Sequence, residues 1–154
     1  SSFGIPKTKK VKWENGPQYE SKREGFYWND HVMPENRAID RFEYDRKKAD
    51  ELRKAGFGVI NTHIMDGIAR GTGILVTLND RLNNSERIIN DSSGQYFSFK
   101  KSEASRQSYP SSHMGAIALL KQMHYDAKWY ADGHAKNKDL SLEALNKVAR
   151  PEGE

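Results

Sequence analysis

The stretch at residues 56–78, GFGVINTHIMDGIARGTGILVTL, decides how the rest of the chain is interpreted, because it joins two apolar runs through a glycine-containing loop. The runs at 57–62 and 74–78 are short and rich in β-branched residues, which is typical of buried strands. In the loop at 67–73, glycines allow positive φ angles and the close approach of a ligand. Since such loops often carry function, the polar loop residues His63, Asp66 and Arg70 are the first candidates for a site.

Helix signals lie on both sides of this stretch. Asp45 is a good N-cap and Gly56 a good C′ residue, so a short helix is predicted between them and leads directly into the first strand. Ser111 or Ser112 caps a longer helix that continues to about residue 132, and a last helix is expected near Ser141. The apolar face of the long helix is predicted from helical spacing. It consists of Ile117, Leu120, Met123, Ala127 and Tyr130.

The order of these elements predicts an α/β fold. A helix followed by a buried strand is half of a βαβ unit, which favours a parallel sheet. The short runs at 86–90 and 95–100 lie too close together for a crossover, so they are predicted to form a small antiparallel β excursion. We expect an extended segment at 1–44 that wraps a neighbouring surface, followed by the α/β part at 45–154.

Charge and composition narrow the function classes. The 154 residues suit one domain, and their 25 basic and 21 acidic residues are largely interleaved, so the net charge of +4 indicates only weak attraction to anions. The basic run at 7–12 is predicted to be a solvated arm, with nucleic-acid binding there as a third possibility. Disulfides are excluded because there is no cysteine, and without an apolar run of transmembrane length we expect a soluble protein, cytoplasmic or periplasmic, with no membrane partner.

Familiar catalytic motifs are missing. The chain has neither a phosphate-binding glycine loop nor a serine elbow, and the serines at 111–112 are better explained as helix caps. None of the five histidines forms a His-x-His pair, and His113 and His124 are eleven residues apart, so we interpret both as structural. The run from Trp28 to His31 is either a polar site beside an aromatic side chain or a pair that caps a turn.

Several motifs occur in an order that resembles a known family. They are PENRAIDRF at 34–42, AGFGV at 55–59, the glycine loop at 67–73 before an apolar strand, and YPSSHMGAIALL at 109–120. Together they resemble the front portion of metal-dependent amidohydrolases of the imidazolonepropionase-like group. The resemblance is collinear over about residues 28–130. Its implied fold is a (β/α)₈ TIM barrel with divalent metal at its mouth, of which this chain would be a partial segment.

The resemblance implies a function for the whole enzyme and a limited part for this chain. The enzyme would hydrolyse amide or cyclic-amide C–N bonds with a divalent metal, zinc being expected, while the family's His-x-His, carboxylate and aspartate ligands have no match here. The segment would then be inactive alone, with the rest of the barrel as its partner and an oligomer possible. His63, Asp66 and Arg70 would lie on a loop at the barrel mouth and bind a small-molecule substrate. Arg70 would bind a carboxylate group of the substrate, and Asp66 would accept a hydrogen bond from an amide or ammonium group of the substrate.

Alternatives remain open at this point. Asp66 and Arg70 can pair with each other and merely order the loop, and His63 can be a hydrogen-bonded loop residue. The runner-up function is a stand-alone α/β binding module for an anionic ligand or a protein partner. Because the chain starts at Ser1 without methionine, we expect it, and its other end at 150–154, to be cut from a longer protein.

Overall fold

The chain forms a mixed α/β fold with small antiparallel sheets and one long helix, as predicted at that level. The computed structural model describes residues 1–12, 16–20 and 23–149. For residues 148 and 149 only the backbone is described. The expected cut at 150–154 lies outside the described residues. In chain order the elements are a 3-10 helix (Ala38–Arg41), α1 (Arg46–Lys54), β1 (Val59–Thr62), β2 (Ala69–Thr72), β3 (Ile74–Thr77), α2 (Asn84–Arg87), β4 (Ile88–Asn90), β5 (Gln95–Phe97), α3 (His113–Ala131) and α4 (Leu140–Ala149).

The chain divides into two compact units, each assembled from segments distant in sequence. The first unit contains Ser1–Lys7, Asn36–Met65 and Gly71–Tyr96. The second unit contains Thr8–Glu35, Asp66–Arg70 and Phe97–Glu154. The predicted division at residues 44 and 45 stays a prediction.

The sheet of the first unit has the strand order β1-β3-β4 and is antiparallel throughout. Ile60 pairs with Val76, and both side chains are buried in the apolar core of this unit. The expected parallel arrangement of these strands is wrong, because parallel neighbours need a crossover of about a dozen residues or more, usually a helix. The connection from Thr62 to Ile74 contains only loop and the short strand β2.

Local signals set the helices of the first unit. α1 begins as predicted, with the Asp45 side chain accepting a hydrogen bond from the backbone N–H of Lys48. The strand predicted from residue 86 is wrong over its first half, because Asn83 and Glu86 form a reciprocal capping box that makes one helical turn, α2. β4 follows and pairs with β3, whereas β5 pairs with β2. β4 and β5 therefore do not form the expected hairpin with each other.

The second unit is built on α3, which begins as predicted with Ser112 accepting from the backbone N–H of Gly115. Its buried side chains are Ala116, Leu119, Met123 and Ala127. These pack in one cluster with Leu142 and Leu145 of α4. The predicted face was therefore partly wrong: Ile117 is 47% exposed, because the buried face runs through positions 116, 119, 123 and 127. No helix in the described part of the chain is both long and apolar enough to cross a membrane.

Candidate functional site

A buried polar cluster occupies the centre of the second unit, and we define it as His31, Asp66, Ser102 and Gln107. All four side chains are at most 6% exposed. His31 follows a turn in which the side chain of Asn29 accepts from the His31 backbone N–H at 3.0 Å. The cluster therefore joins the loop before β2 to the long loop between β5 and α3.

The hydrogen bonds of His31 define one neutral tautomer. Its Nδ1 accepts from the backbone N–H of Ser102 at 3.1 Å, so the proton is carried by Nε2, which donates to the carbonyl oxygen of Gln107 at 2.9 Å. Burial lowers the pKa of His31, and the nearby Lys101 charge acts in the same direction. The ring consequently serves as a fixed donor and acceptor. The sequence had left open a pairing of His31 with Asp30 in a turn, and the ring nitrogens instead bond to Ser102 and Gln107.

Asp66 orders the loop that follows β5. Its Oδ2 accepts from the Ser102 hydroxyl at 2.6 Å, and its Oδ1 accepts from the backbone N–H of Glu103 at 2.8 Å. Ser102 Oγ in turn accepts from the backbone N–H of Ala104 at 3.2 Å. Both carboxylate oxygens are therefore engaged in holding a tight turn at 102–104.

Arg70 lies in the same unit and is only 8% exposed. Its Nε donates to the carbonyl oxygen of Gly67 at 3.1 Å, and its Nη2 donates to Ser98 Oγ at 2.8 Å. Burial lowers the pKa of Arg70, and the negative charge of Asp66 opposes that shift. Arg70 thus connects the glycine loop to the chain just after β5.

His63 belongs to the first unit. Its ring stacks on Tyr96 with 3.9 Å between the ring centroids and 10° between the planes. Nδ1 of His63 lies 2.9 Å from the carbonyl oxygen of Ile64, and its backbone N–H donates to Ser1. Of the three predicted site residues, Asp66 and Arg70 therefore share one unit, and His63 is part of the other.

A cleft of about 960 Å³ opens beside the buried polar cluster, with His31, Ser102 and Gln107 among its lining residues. We call it the basic cleft, because the side chains of Lys10, Lys100 and Lys101 also line it. Its volume gives room for a small molecule.

The histidines of α3 take part in aromatic contacts. The His113 ring lies 5.9 Å from Phe99 and the His124 ring 6.0 Å from Phe97, measured between ring centroids. Nδ1 of His124 is also 2.8 Å from the carbonyl oxygen of Leu120 one turn earlier. Among the residues described, no group of three or more histidine, aspartate and glutamate side chains has the arrangement of a metal site.

The sequence alone did not reveal the buried polar cluster. Ser102 and Gln107 lie 71 and 76 residues after His31, in a polar stretch without periodicity. The position of Asp66 beside the glycine loop predicts a polar loop residue, but it does not indicate its partners Ser102 and Glu103. A dipeptide such as Asn29-Asp30 before a histidine signals a turn, and that signal gives no information about a partner far along the chain.

The backbone is similar to a crystal structure of an amidohydrolase from Thermotoga maritima MSB8, with a TM-score of 0.60 and 18% sequence identity. The similarity covers 86% of this chain and 40% of that one. No protein-family model matches the sequence, and no curated protein matches it. The chain thus shares its fold with part of that neighbour, and it spans less than half of the neighbour's length.

Proposed function

We propose that this chain is a segment of a metal-dependent amidohydrolase that hydrolyses amide or cyclic-amide C–N bonds. The observation that carries the proposal is the backbone similarity to the Thermotoga amidohydrolase over 86% of the chain. The order of the sequence motifs at 34–42, 55–59, 67–73 and 109–120 supports it independently of the coordinates. In this proposal the segment is part of a (β/α)₈ barrel, and the remainder of the barrel is its partner.

The described residues do not fit a metal ion, since no group of three or more suitable side chains converges among them. We therefore derive no catalytic step through a metal on these residues. The proposal assigns the metal, with zinc as the expected ion, to parts of the enzyme beyond the described residues. It assigns to this segment the shaping of the loops that meet the substrate.

The loop roles follow from the hydrogen bonds. Both carboxylate oxygens of Asp66 already accept from Ser102 and Glu103, so contact with a substrate amide would require one of these bonds to be replaced. We therefore propose Asp66 as a positioning residue for the loop at 97–105. Substrate contact by Arg70 and His63 stays a prediction. Arg70 retains a guanidinium suited to a carboxylate, although Gly67 and Ser98 already accept from two of its nitrogens.

The test compares the 154-residue chain with the longer polypeptide encoded by its gene. We expect the longer polypeptide to contain divalent metal by mass spectrometry. It should release amine from N-acyl amino acids or dipeptides, or open the ring of hydantoins to N-carbamoyl amino acids. Activity should fall at least a hundredfold after treatment with 1,10-phenanthroline and return with Zn²⁺, and the 154-residue chain should be inactive. Full activity in a polypeptide without metal, or hydrolysis by the 154-residue chain alone, would overturn the proposal.

A second experiment addresses Arg70 in the same longer polypeptide. If Arg70 binds a substrate carboxylate, Arg70→Lys should raise KM for acidic substrates about tenfold and leave KM for the corresponding substrate amides unchanged. A purely structural role would change both KM values equally and lower the melting temperature. Equal changes for both substrates would therefore reject substrate contact.

A further inference from the structure

We propose that the basic cleft of the second unit binds a small organic carboxylate with an apolar body. Its described lining residues all lie within this one unit. It requires no metal and no hydrolytic activity. It therefore stands separately from the proposed amidohydrolase function.

The charge around the cleft selects an anion. Lys10, Lys100 and Lys101 line it, while Glu103 is the single acidic side chain among the described lining residues. Glu103 Oε1 lies 2.7 Å from Lys100 Nζ, so these two charges offset each other, and the lysines and glutamate of the described lining together carry a net charge of +2 (3 − 1). Lys10 is exposed, and Lys101 Nζ donates to the carbonyl oxygen of Ser108 at 3.1 Å, which places its charge at the cleft wall. Basic side chains focused in a concave surface raise the local concentration of anions.

The walls of the cleft also supply apolar surface. Val11, Phe99 and Pro110 are among the lining residues, and Phe99 is 53% exposed although it is a large aromatic side chain. Pockets that combine apolar walls with a few polar groups are typical of sites for organic ligands, and about 960 Å³ lies within their usual size. An inorganic anion would leave this apolar surface in water, so the better match is an acid with an apolar body.

The polar side chains at the inner end of the cleft are already hydrogen-bonded within the protein. His31 is fully buried in one neutral tautomer, and Ser102 is held by Asp66. The exposed Ser111 adds a hydroxyl group at the edge, just before α3 begins at His113. The ligand carboxylate is therefore expected at the lysines, and its apolar body against Phe99 and Pro110.

The experiment is a titration of the ¹⁵N-labelled chain, followed by two-dimensional NMR. The probes are 3-phenylpropionate, the uncharged 3-phenyl-1-propanol, and inorganic phosphate. We expect 3-phenylpropionate to shift the amide signals of residues 100–107 and 111–115 in a saturable manner and to bind at least tenfold more tightly than either of the others. Its affinity should also fall as NaCl is raised, because the lysines are near the surface.

Two double variants with the same change in net charge complete the design. Lys10→Gln with Lys100→Gln should weaken 3-phenylpropionate binding at least fivefold. Lys121→Gln with Lys128→Gln changes two exposed lysines of α3 that do not line the cleft, and it should alter the affinity less than twofold. Equal weakening in both variants, equal binding of the alcohol or of phosphate, or shifts confined to other residues would each overturn the proposal.

Discussion

Replacing Asp66 tests whether the buried polar cluster holds the loop after β5. Asp66→Ala removes the acceptor for the Ser102 hydroxyl and for the backbone N–H of Glu103, at 2.6 and 2.8 Å. Hydrogen bonds to a charged group contribute about 1.5–3 kcal/mol each, and Ser102 is only 5% exposed, so its hydroxyl would lose its acceptor away from solvent. We expect the free energy of unfolding to fall by about 3–5 kcal/mol.

The measurement is urea denaturation followed by far-UV circular dichroism, with amide hydrogen exchange as a local readout. With a slope of about 1–3 kcal/mol per molar urea, the midpoint should fall by about 2 M, and the amide of Glu103 should exchange faster. Asp66→Asn keeps an oxygen for Glu103 and can donate to Ser102 Oγ, so it should lose about half as much stability.

The control is Asp91→Ala. Oδ2 of Asp91 lies 3.8 Å from Nη2 of Arg37, and the two side chains are 61% and 52% exposed. This change should therefore alter the free energy of unfolding by no more than about 0.5 kcal/mol. A loss below about 1 kcal/mol for Asp66→Ala, or a loss equal to that of the control, would refute the assignment of Asp66 as the residue that orders the loop.

Two further changes test the site and the glycine loop. Because burial lowers the pKa of His31, the unfolded chain binds more protons than the folded chain does when the pH is below about 6.5. The free energy of unfolding should therefore decline as the pH falls from about 6.5 to 5. His31→Asn should flatten that decline in urea titrations, and an unchanged slope would contradict the buried neutral ring. Gly71→Ala should lower the stability by at least about 2 kcal/mol more than Gly56→Ala, since φ is 88° and 94° at the two positions but only at Gly71 would a Cβ lie 1.9 Å from the carbonyl oxygen of Asn36. Equal losses in thermal unfolding would show that the close approach is not what requires glycine at Gly71.

Two helix starts were predictable from the sequence because each depends on residues a few positions apart. Asp45 and Ser112 each accept a hydrogen bond from a backbone N–H three residues later, and both helices begin at the expected positions. The capping box of Asn83 and Glu86 is equally local and could have been identified. The β-branched residues that follow it give a stronger signal, for a strand, and that signal favours the wrong element at residues 86 and 87.

Strand partners and the candidate site depended on the tertiary structure. The apolar pattern of β1 and β3 indicates burial in either a parallel or an antiparallel sheet, and only the pairing of Ile60 with Val76 in the folded chain shows that it is antiparallel. The ordered motifs resemble those of amidohydrolases, and the backbone similarity to the Thermotoga structure shows a shared fold over 86% of this chain.

By itself, the sequence determined where α1 and α3 begin, since caps act within a few residues. It indicated burial only in part, because in β1 the side chains of Ile60 and Thr62 are buried while Val59 is 45% exposed. Only the tertiary structure decided that His31 meets Ser102 and Gln107, and that both oxygens of Asp66 are used within the protein. The physical reason is that a buried hydrogen bond needs a matched donor and acceptor, and a polar loop residue satisfies that requirement equally well with many partners until folding brings one of them into reach.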